Sequence, residues 1–130
     1  MRLLLLIALL MSPAYGCRER SVTGGTTGVL RNADGDVLRE VRIHVFAAGE
    51  TTPLGFGETA SDGRFALYQP QARGPLHLSA GEYVATLESL SPELPHLPAT
   101  VADPLHSPLR FHWSPGNGPL EINLPQQNPR

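Results

Sequence analysis

Apolar residues in this sequence come in short runs, and in several of them apolar and polar positions alternate. The clearest run is Val41–Ala47, where Val41, Ile43 and Val45 alternate with Arg42 and His44. A period of two places alternate side chains on opposite faces of a β-strand. Thirteen glycines and thirteen prolines cut the other apolar runs to strand length, which is too short for most helices. The sequence therefore predicts an all-β domain.

Turn signals separate these runs. Asp34-Gly35 and Ser61-Asp62-Gly63 favour tight turns, and the second favours a hairpin. Five prolines between residues 91 and 108 remove backbone donors, so a long connection is predicted there. The spacing indicates a two-sheet sandwich of seven to eight strands. The predicted strands are 26–31, 41–47, 54–59, 64–68, 76–79, 83–88, 109–113 and 120–124.

The same alternation predicts which side chains face the core. Phe46 and Tyr68 are instead expected on outer faces, where flat aromatic rings could serve carbohydrate binding. Phe46 could equally pack beneath the connection 91–108. The predicted core positions are Val41, Ile43 and Val45, then Tyr83, Ala85 and Leu87, then Leu109, Phe111 and Trp113, and finally Leu120, Ile122 and Leu124.

The N-terminus has the pattern of a secretory signal peptide. Arg2 precedes an apolar run over residues 3–11, and Ala14 and Gly16 supply small residues before a cleavage point. The run is shorter than the roughly 20 apolar residues of a membrane-spanning helix. We therefore expect an exported protein with a signal peptide at 1–16, a polar tether at 17–25, a β-sandwich at 26–125 and a tail at 126–130.

Cys17, the only cysteine, follows the predicted cleavage point. Ala14-Tyr15-Gly16-Cys17 resembles a bacterial lipobox, whose cysteine is lipidated, and a single cysteine cannot form an internal disulfide. The predicted product is a lipoprotein held in the membrane at the periplasmic or cell-surface side. Ala14 and Gly16 also suit ordinary signal peptidase, which would release a soluble secreted protein with a free N-terminal cysteine.

The charge of the chain excludes several classes of function. All ten basic residues are arginine, so chemistry that needs a lysine amine is excluded, including Schiff bases and Walker-type phosphate binding. After residue 16, nine arginines stand against 12 acidic residues, which is about −3. No stretch gathers the basic charge, so no nucleic-acid partner is expected.

Two motifs resemble the carboxypeptidase regulatory-like domain, a transthyretin-like or prealbumin-like sandwich. The family's T-x-x-D-G-x-F hairpin is matched by residues 59–65, and its x-G-x-Y strand start by residues 80–83. Residues 97–109 and the closing strand resemble the ending of small predicted lipoproteins of planctomycete-type bacteria. The resemblance implies an extracytoplasmic accessory or interaction module without catalytic residues. The C-terminus lacks the Tyr-Arg-Gly-Ser type of tail found in the related hydroxyisourate hydrolases.

The candidate metal ligands do not have a recognisable spacing. His44, His77, His96, His106 and His112 form no H-x-H or H-x-x-x-H pair, so no metal or other cofactor is expected. Asn32, Asp34 and Asp36 are spaced like the start of a calcium loop, but the twelfth position is Ile43, which favours a plain turn.

Nucleophilic catalysis is also not predicted, because no G-x-S-x-G elbow is present. The expected function is a non-catalytic interaction or structural module of the cell envelope, with membrane lipid at Cys17 and an unknown envelope protein as partners. The alternative is an extracytoplasmic small-ligand binder, for a metal or a glycan, that uses the loops at one end of the sandwich, where His96 or His106 would contribute.

Overall fold

Seven strands form two sheets in the computed structural model, which describes residues 24–92 and 97–126. They are β1 (Thr27–Arg31), β2 (Val41–Ala47), β3 (Gly55–Glu58), β4 (Arg64–Ala66), β5 (Gly81–Ser89), β6 (Arg110–Trp113) and β7 (Leu120–Asn123). One sheet has the order β4-β1-β7 and the other the order β3-β2-β5-β6. Among the strands of residues 24–92 and 97–126, only β1 and β7 pair in parallel. The predicted all-β, two-sheet sandwich of seven to eight strands is confirmed.

The core lies between the sheets and is filled by the predicted inward positions. In β2 and β5 all six predicted inward residues belong to the core cluster, and Ile43, Val45 and Ala85 are fully enclosed. Phe111 and Trp113 are partly buried and pack against the core. The indole N–H of Trp113 donates to the carbonyl oxygen of Leu78 at 3.1 Å. The period of two therefore identified the core faces correctly.

The predicted strand at 76–79 is wrong. Its backbone forms single bonds to two different segments: the N–H of Leu76 donates to the carbonyl oxygen of Leu67, and the carbonyl oxygen of Leu76 accepts from Thr26. The hydroxyl of Thr26 accepts from the N–H of Leu78 at 3.0 Å. Pro75, which has no N–H, precedes this stretch. Residues 76–79 therefore form an irregular segment bonded to Thr26 and Leu67, where a strand was expected.

The Ser61-Asp62-Gly63 turn forms as predicted, but the strands beside it belong to different sheets. Gly63 has a φ of 78°, and Asp62 Oδ1 accepts from the N–H of Arg64 at 3.1 Å. β3 pairs with β2, whereas β4 pairs with β1. The turn thus joins the two layers of the sandwich, and hairpin pairing across it is limited to a bond between Ala60 and Arg64 and the bridge between Phe56 and Tyr68.

The connection predicted at 91–108 is ordered in its described part. Residues 97–108 include a 3-10 helix at Ala99–Ala102 that carries the fully buried Val101. Cys17, the predicted signal peptide, most of the predicted tether, and residues 93–96 and 127–130 lie outside the described residues. Within 24–92 and 97–126, no helix has the length and apolar character needed to cross a membrane.

Candidate functional site

A groove with a volume of about 1110 Å³ lies on the outer surface of the sandwich, along β1 and around the junction of β3 and β4. Thr27, Val29 and Arg31 point into it because they alternate with Gly28 and Leu30, which face the core. The other lining residues come from β3, β4, β7 and nearby turns: Phe56, Glu58, Asp62, Arg64, Phe65, Ala66, Tyr68, Ala72, Pro119 and Glu121. The groove is therefore built mainly on strands.

Two aromatic rings mark the junction of the sheets inside this groove. Phe56 and Tyr68 exchange two backbone hydrogen bonds, of 3.0 and 2.8 Å, which form an isolated bridge between β3 and the segment after β4. Their ring centroids are 6.1 Å apart with an interplanar angle of 39°. Both side chains are half-buried, so part of each remains open to solvent. The pair is a small aromatic platform with a fixed backbone beneath it.

Phe56 is also supported from its other side. The ring of His44 lies 6.5 Å from that of Phe56, and the guanidinium of Arg42 lies 6.0 Å from its centroid. Arg42 is held in turn by Glu58, with Nη2 and Nε at 2.7 and 3.0 Å from Oε2, and its Nη1 lies 3.9 Å from Glu88. This row of contacts limits the freedom of the Phe56 ring.

Charged side chains of both signs line the rest of the groove. The Arg64 side chain is 79 % exposed, and its only ion pair among the described residues is a loose one, 3.8 Å, to Asp62. Arg31 donates to the carbonyl oxygen of Gly35 at 3.0 Å. Glu121 projects from β7 into the same space. Arginine donors and carboxylate acceptors therefore face one another across a polar and aromatic surface.

Tyr68 and Phe46 both lie on outer faces as expected, but only Tyr68 is open to solvent. Phe46 lies opposite Val84 in the β2–β5 pair, on the sheet face away from the core cluster. It is only 6 % exposed, and Val84 is 1 % exposed. Phe56, which sequence reasoning did not select, takes the place expected for Phe46.

His44 is the histidine whose protonation the fold perturbs. It is half-buried on the outer face of β2. Burial lowers the pKa of His44, since desolvation disfavours the imidazolium. Glu88 opposes this fall in pKa and Arg42 adds to it.

His112 forms a relay that sequence reasoning missed. Its Nδ1 lies 2.9 Å from Glu82 Oε2, and its Nε2 lies 3.2 Å from the hydroxyl of Ser114. This is the order of groups in a serine hydrolase relay. Glu82 and His112 meet because the β5–β6 register pairs them, which spacing along the chain does not reveal. The two side chains are 68 % and 58 % exposed, so water surrounds the relay.

The other candidate ligands are occupied by local contacts or lie apart. His106 Nδ1 is 2.6 Å from Asp103 Oδ2, and this hydrogen bond, followed by the Leu105 N–H, lowers the pKa of Asp103. Asn32 Oδ1 accepts from the N–H groups of Asp34 and Asp36 at 2.9 and 3.0 Å, which is the bonding of a capped turn. In the parts of the chain that the structure describes, no three His, Cys, Asp or Glu side chains come together as a metal site. His96 lies outside those parts.

A smaller hollow of about 270 Å³ lies near the end of β1, and half of its eight lining residues are aliphatic, including Val37, Leu38 and Leu97. It carries no charged pair, and Arg39 is its one ionisable lining residue. The larger groove therefore offers more recognition chemistry.

Comparisons with known proteins returned no relative from which a role could be transferred. No protein-family model matches the chain, and no match was found among curated proteins or among solved structures.

Proposed function

We propose that this protein is a non-catalytic interaction module of the cell envelope, exported by its signal peptide, anchored through lipid on Cys17, and binding through the groove along β1. The observation that carries the proposal is the groove itself. It combines a supported aromatic pair, Phe56 and Tyr68, with charged groups of both signs on a strand-built surface. Strands hold binding groups more firmly than loops do.

The path of the chain into the domain supports the tethered arrangement. Gly25 donates from its N–H to the carbonyl oxygen of Leu67 at 2.8 Å, directly before β1 begins at Thr27. β1 then runs along the groove from Thr27 to Arg31. A tether ending at residue 25 would therefore enter at the Tyr68 end of the groove, and the groove would extend away from the anchor.

The carboxypeptidase regulatory-like, prealbumin-like assignment is part of the same proposal. Its support is the two-sheet sandwich together with the turn at residues 61–63 and the start of β5 at Gly81, where the two family motifs fall. The family resemblance implies a binding or accessory role and no catalysis.

The glycan form of the small-ligand alternative also has an observation in its favour, namely the aromatic pair in the groove. Its site would then lie on strand faces and not on the end loops, where His106 pairs with Asp103.

Lipidation is tested by the intact mass and membrane partition of the protein from a lipoprotein-competent bacterium, with Cys17→Ala as the variant and Ser21→Ala as the matched tether control. We expect the wild type and Ser21→Ala to start at Cys17, to carry extra mass equal to a diacylglyceryl group, and to be recovered in membranes. Cys17→Ala should lack that extra mass. An unmodified wild-type chain in the soluble fraction would overturn the anchor and leave a secreted binder.

A further inference from the structure

We propose that the groove binds a neutral saccharide chain, with Phe56 and Tyr68 as its stacking platform and with Asp62, Arg64 and Glu121 as hydrogen-bonding partners of the sugar hydroxyls. This inference rests on the binding function proposed above and names the ligand class of that site.

The aromatic pair fits one face of a pyranose ring. An aromatic ring carries negative charge on its face, and the C–H groups on the flat side of a sugar carry a small positive charge. Phe56 and Tyr68 lie 6.1 Å apart and are tilted by 39°, so they present two neighbouring faces and not one closed stack. The backbone bridge and the contact with Arg42 hold the pair in place before ligand arrives, which lowers the entropy cost of binding.

The charged lining suits hydroxyl groups better than it suits a polyanion. Each sugar hydroxyl both donates and accepts, so it needs donors and acceptors within the same surface. The groove supplies Arg31 and Arg64 as donors, and Glu58, Asp62 and Glu121 as acceptors. Because the groove has three carboxylates and two guanidinium groups, its negative charge would repel a strongly acidic chain.

An extended peptide is a poorer fit at the same place. Peptides commonly join a sheet by pairing with an open strand edge. At this junction the edge of β3 is already bonded to the segment after β4 through Phe56 and Tyr68. A peptide therefore cannot pair with β3 at this point, and a ligand lying on the face of β1 is recognised by side chains, as a saccharide is.

The size of the groove indicates a chain of sugar units. Its volume of about 1110 Å³ is at or above the upper range of about 1,000 Å³ for small-molecule pockets. β1, which contributes four of the lining residues, is five residues long, or about 17 Å of extended backbone.

The test is isothermal titration of the exported Cys17→Ala chain, which cannot carry the lipid. Probes are hexasaccharides of glucose (α- and β-linked), mannose, xylose and N-acetylglucosamine, with oligo-alginate, a decapeptide pool and phosphatidylglycerol vesicles as other classes. We expect a neutral hexasaccharide to bind and Tyr68→Leu, which keeps apolar bulk without an aromatic face, to weaken it about tenfold.

Exposed variants keep the test decisive if an aromatic variant fails to fold. Arg64→Ala and Glu121→Gln should each weaken binding severalfold, whereas Leu54→Ala and His112→Ala, which lie outside the groove lining, should leave it unchanged. Far-UV circular dichroism checks the fold of each variant.

The remaining outcomes separate the ligand class from the binding function. Failure of every neutral hexasaccharide to bind the folded chain would overturn the saccharide. Binding that the groove variants leave intact would overturn this site. Peptide or vesicle binding that those variants abolish would overturn the saccharide and keep the groove as a binding surface. Lipidation of Cys17 is measured separately and does not depend on any of these results.

Discussion

The hydroxyl of Ser107 donates a 2.7 Å hydrogen bond to the carbonyl oxygen of Ala85, in the middle of β5. The hydroxyl oxygen of Ser107 in turn accepts from the N–H of Leu109 at 3.1 Å, and the carbonyl oxygen of Leu109 accepts from the N–H of Ala85 at 2.9 Å. Ser107 is 1 % exposed. The buried Ser107 side chain therefore bonds the connection before β6 to the middle of β5.

Replacing Ser107 with alanine should destabilise the domain by about 1–3 kcal/mol, because a buried carbonyl and a buried N–H lose a partner that water cannot replace. Urea unfolding followed by tryptophan fluorescence measures the effect at Trp113. Ser114→Ala, which removes an exposed hydroxyl bond, should change the free energy of unfolding by less than about 0.5 kcal/mol. Equal effects of the two substitutions would show that the Ser107 bond contributes nothing specific.

The junction of the two sheets should be intolerant of a methyl group at Gly55. A Cβ there would lie 2.2 Å from the carbonyl oxygen of Tyr68 and 2.6 Å from Leu76 Cδ2. We expect Gly55→Ala to cost at least about 1–3 kcal/mol, since the closest obstacle is backbone that cannot move without breaking the bridge.

Gly74→Ala is the matched control for this substitution. The nearest atom to its Cβ would be Gln69 Nε2 at 3.8 Å, and its φ is not positive. It should be neutral or stabilising by up to about 1 kcal/mol, through the unfolded state. Thermal unfolding of both variants decides the matter, and a neutral Gly55→Ala would mean that the sheets are not in close contact at this point.

The strands most accurately predicted from sequence are those whose pattern is decided by local alternation. Val41–Ala47 was placed to the residue, because every second side chain faces a core that a one-residue slip would expose. The strand expected at 76–79 failed for a tertiary reason: Thr26 and Leu67 take its backbone groups singly, and no neighbouring strand is available for a ladder.

The candidate site was less predictable than the core. Tyr68 was correctly expected on an outer face, and its partner Phe56, 12 positions earlier, lies opposite it across the turn at residues 61–63. Phe46 has the same outward parity and is covered nonetheless, beside Val84. Parity along a strand predicts the face of a side chain, whereas its exposure depends on what the other strands bring beside it.

Stability should fall as the pH is lowered through the titration range of His44. Burial holds its folded-state pKa below the ordinary 6.5, so the unfolded chain takes up a proton first. The contribution of His44 to stability is therefore complete above about pH 7.5 and decreases below pH 6.5, until the folded-state pKa is reached. His44→Gln, which cannot be protonated, should remove this part of the pH dependence.

Urea midpoints at pH 7.5 and pH 5.5 for wild type and His44→Gln measure the difference, and an NMR titration of the imidazole gives the pKa directly. Glu88→Gln should enlarge the loss, because Glu88 is the neighbour that favours the charged imidazole. A measured pKa above 6.5 in the folded protein would contradict the direction assigned here.

The Glu82–His112–Ser114 relay should not act as a nucleophilic centre, although its groups lie in the order of a hydrolase triad. Such a relay activates serine in a site that excludes water and directs preorganised donors at the developing oxyanion. Here Glu82 and His112 are both more than half exposed, and the N–H of Asn117 is already bonded to the carbonyl oxygen of Ser114 at 3.2 Å. We therefore expect no covalent adduct after incubation with a fluorophosphonate, as measured by intact mass, in wild type or in His112→Ala. An adduct on Ser114 that disappears in His112→Ala would show that the relay is reactive and that the protein is an enzyme, against the function proposed for it.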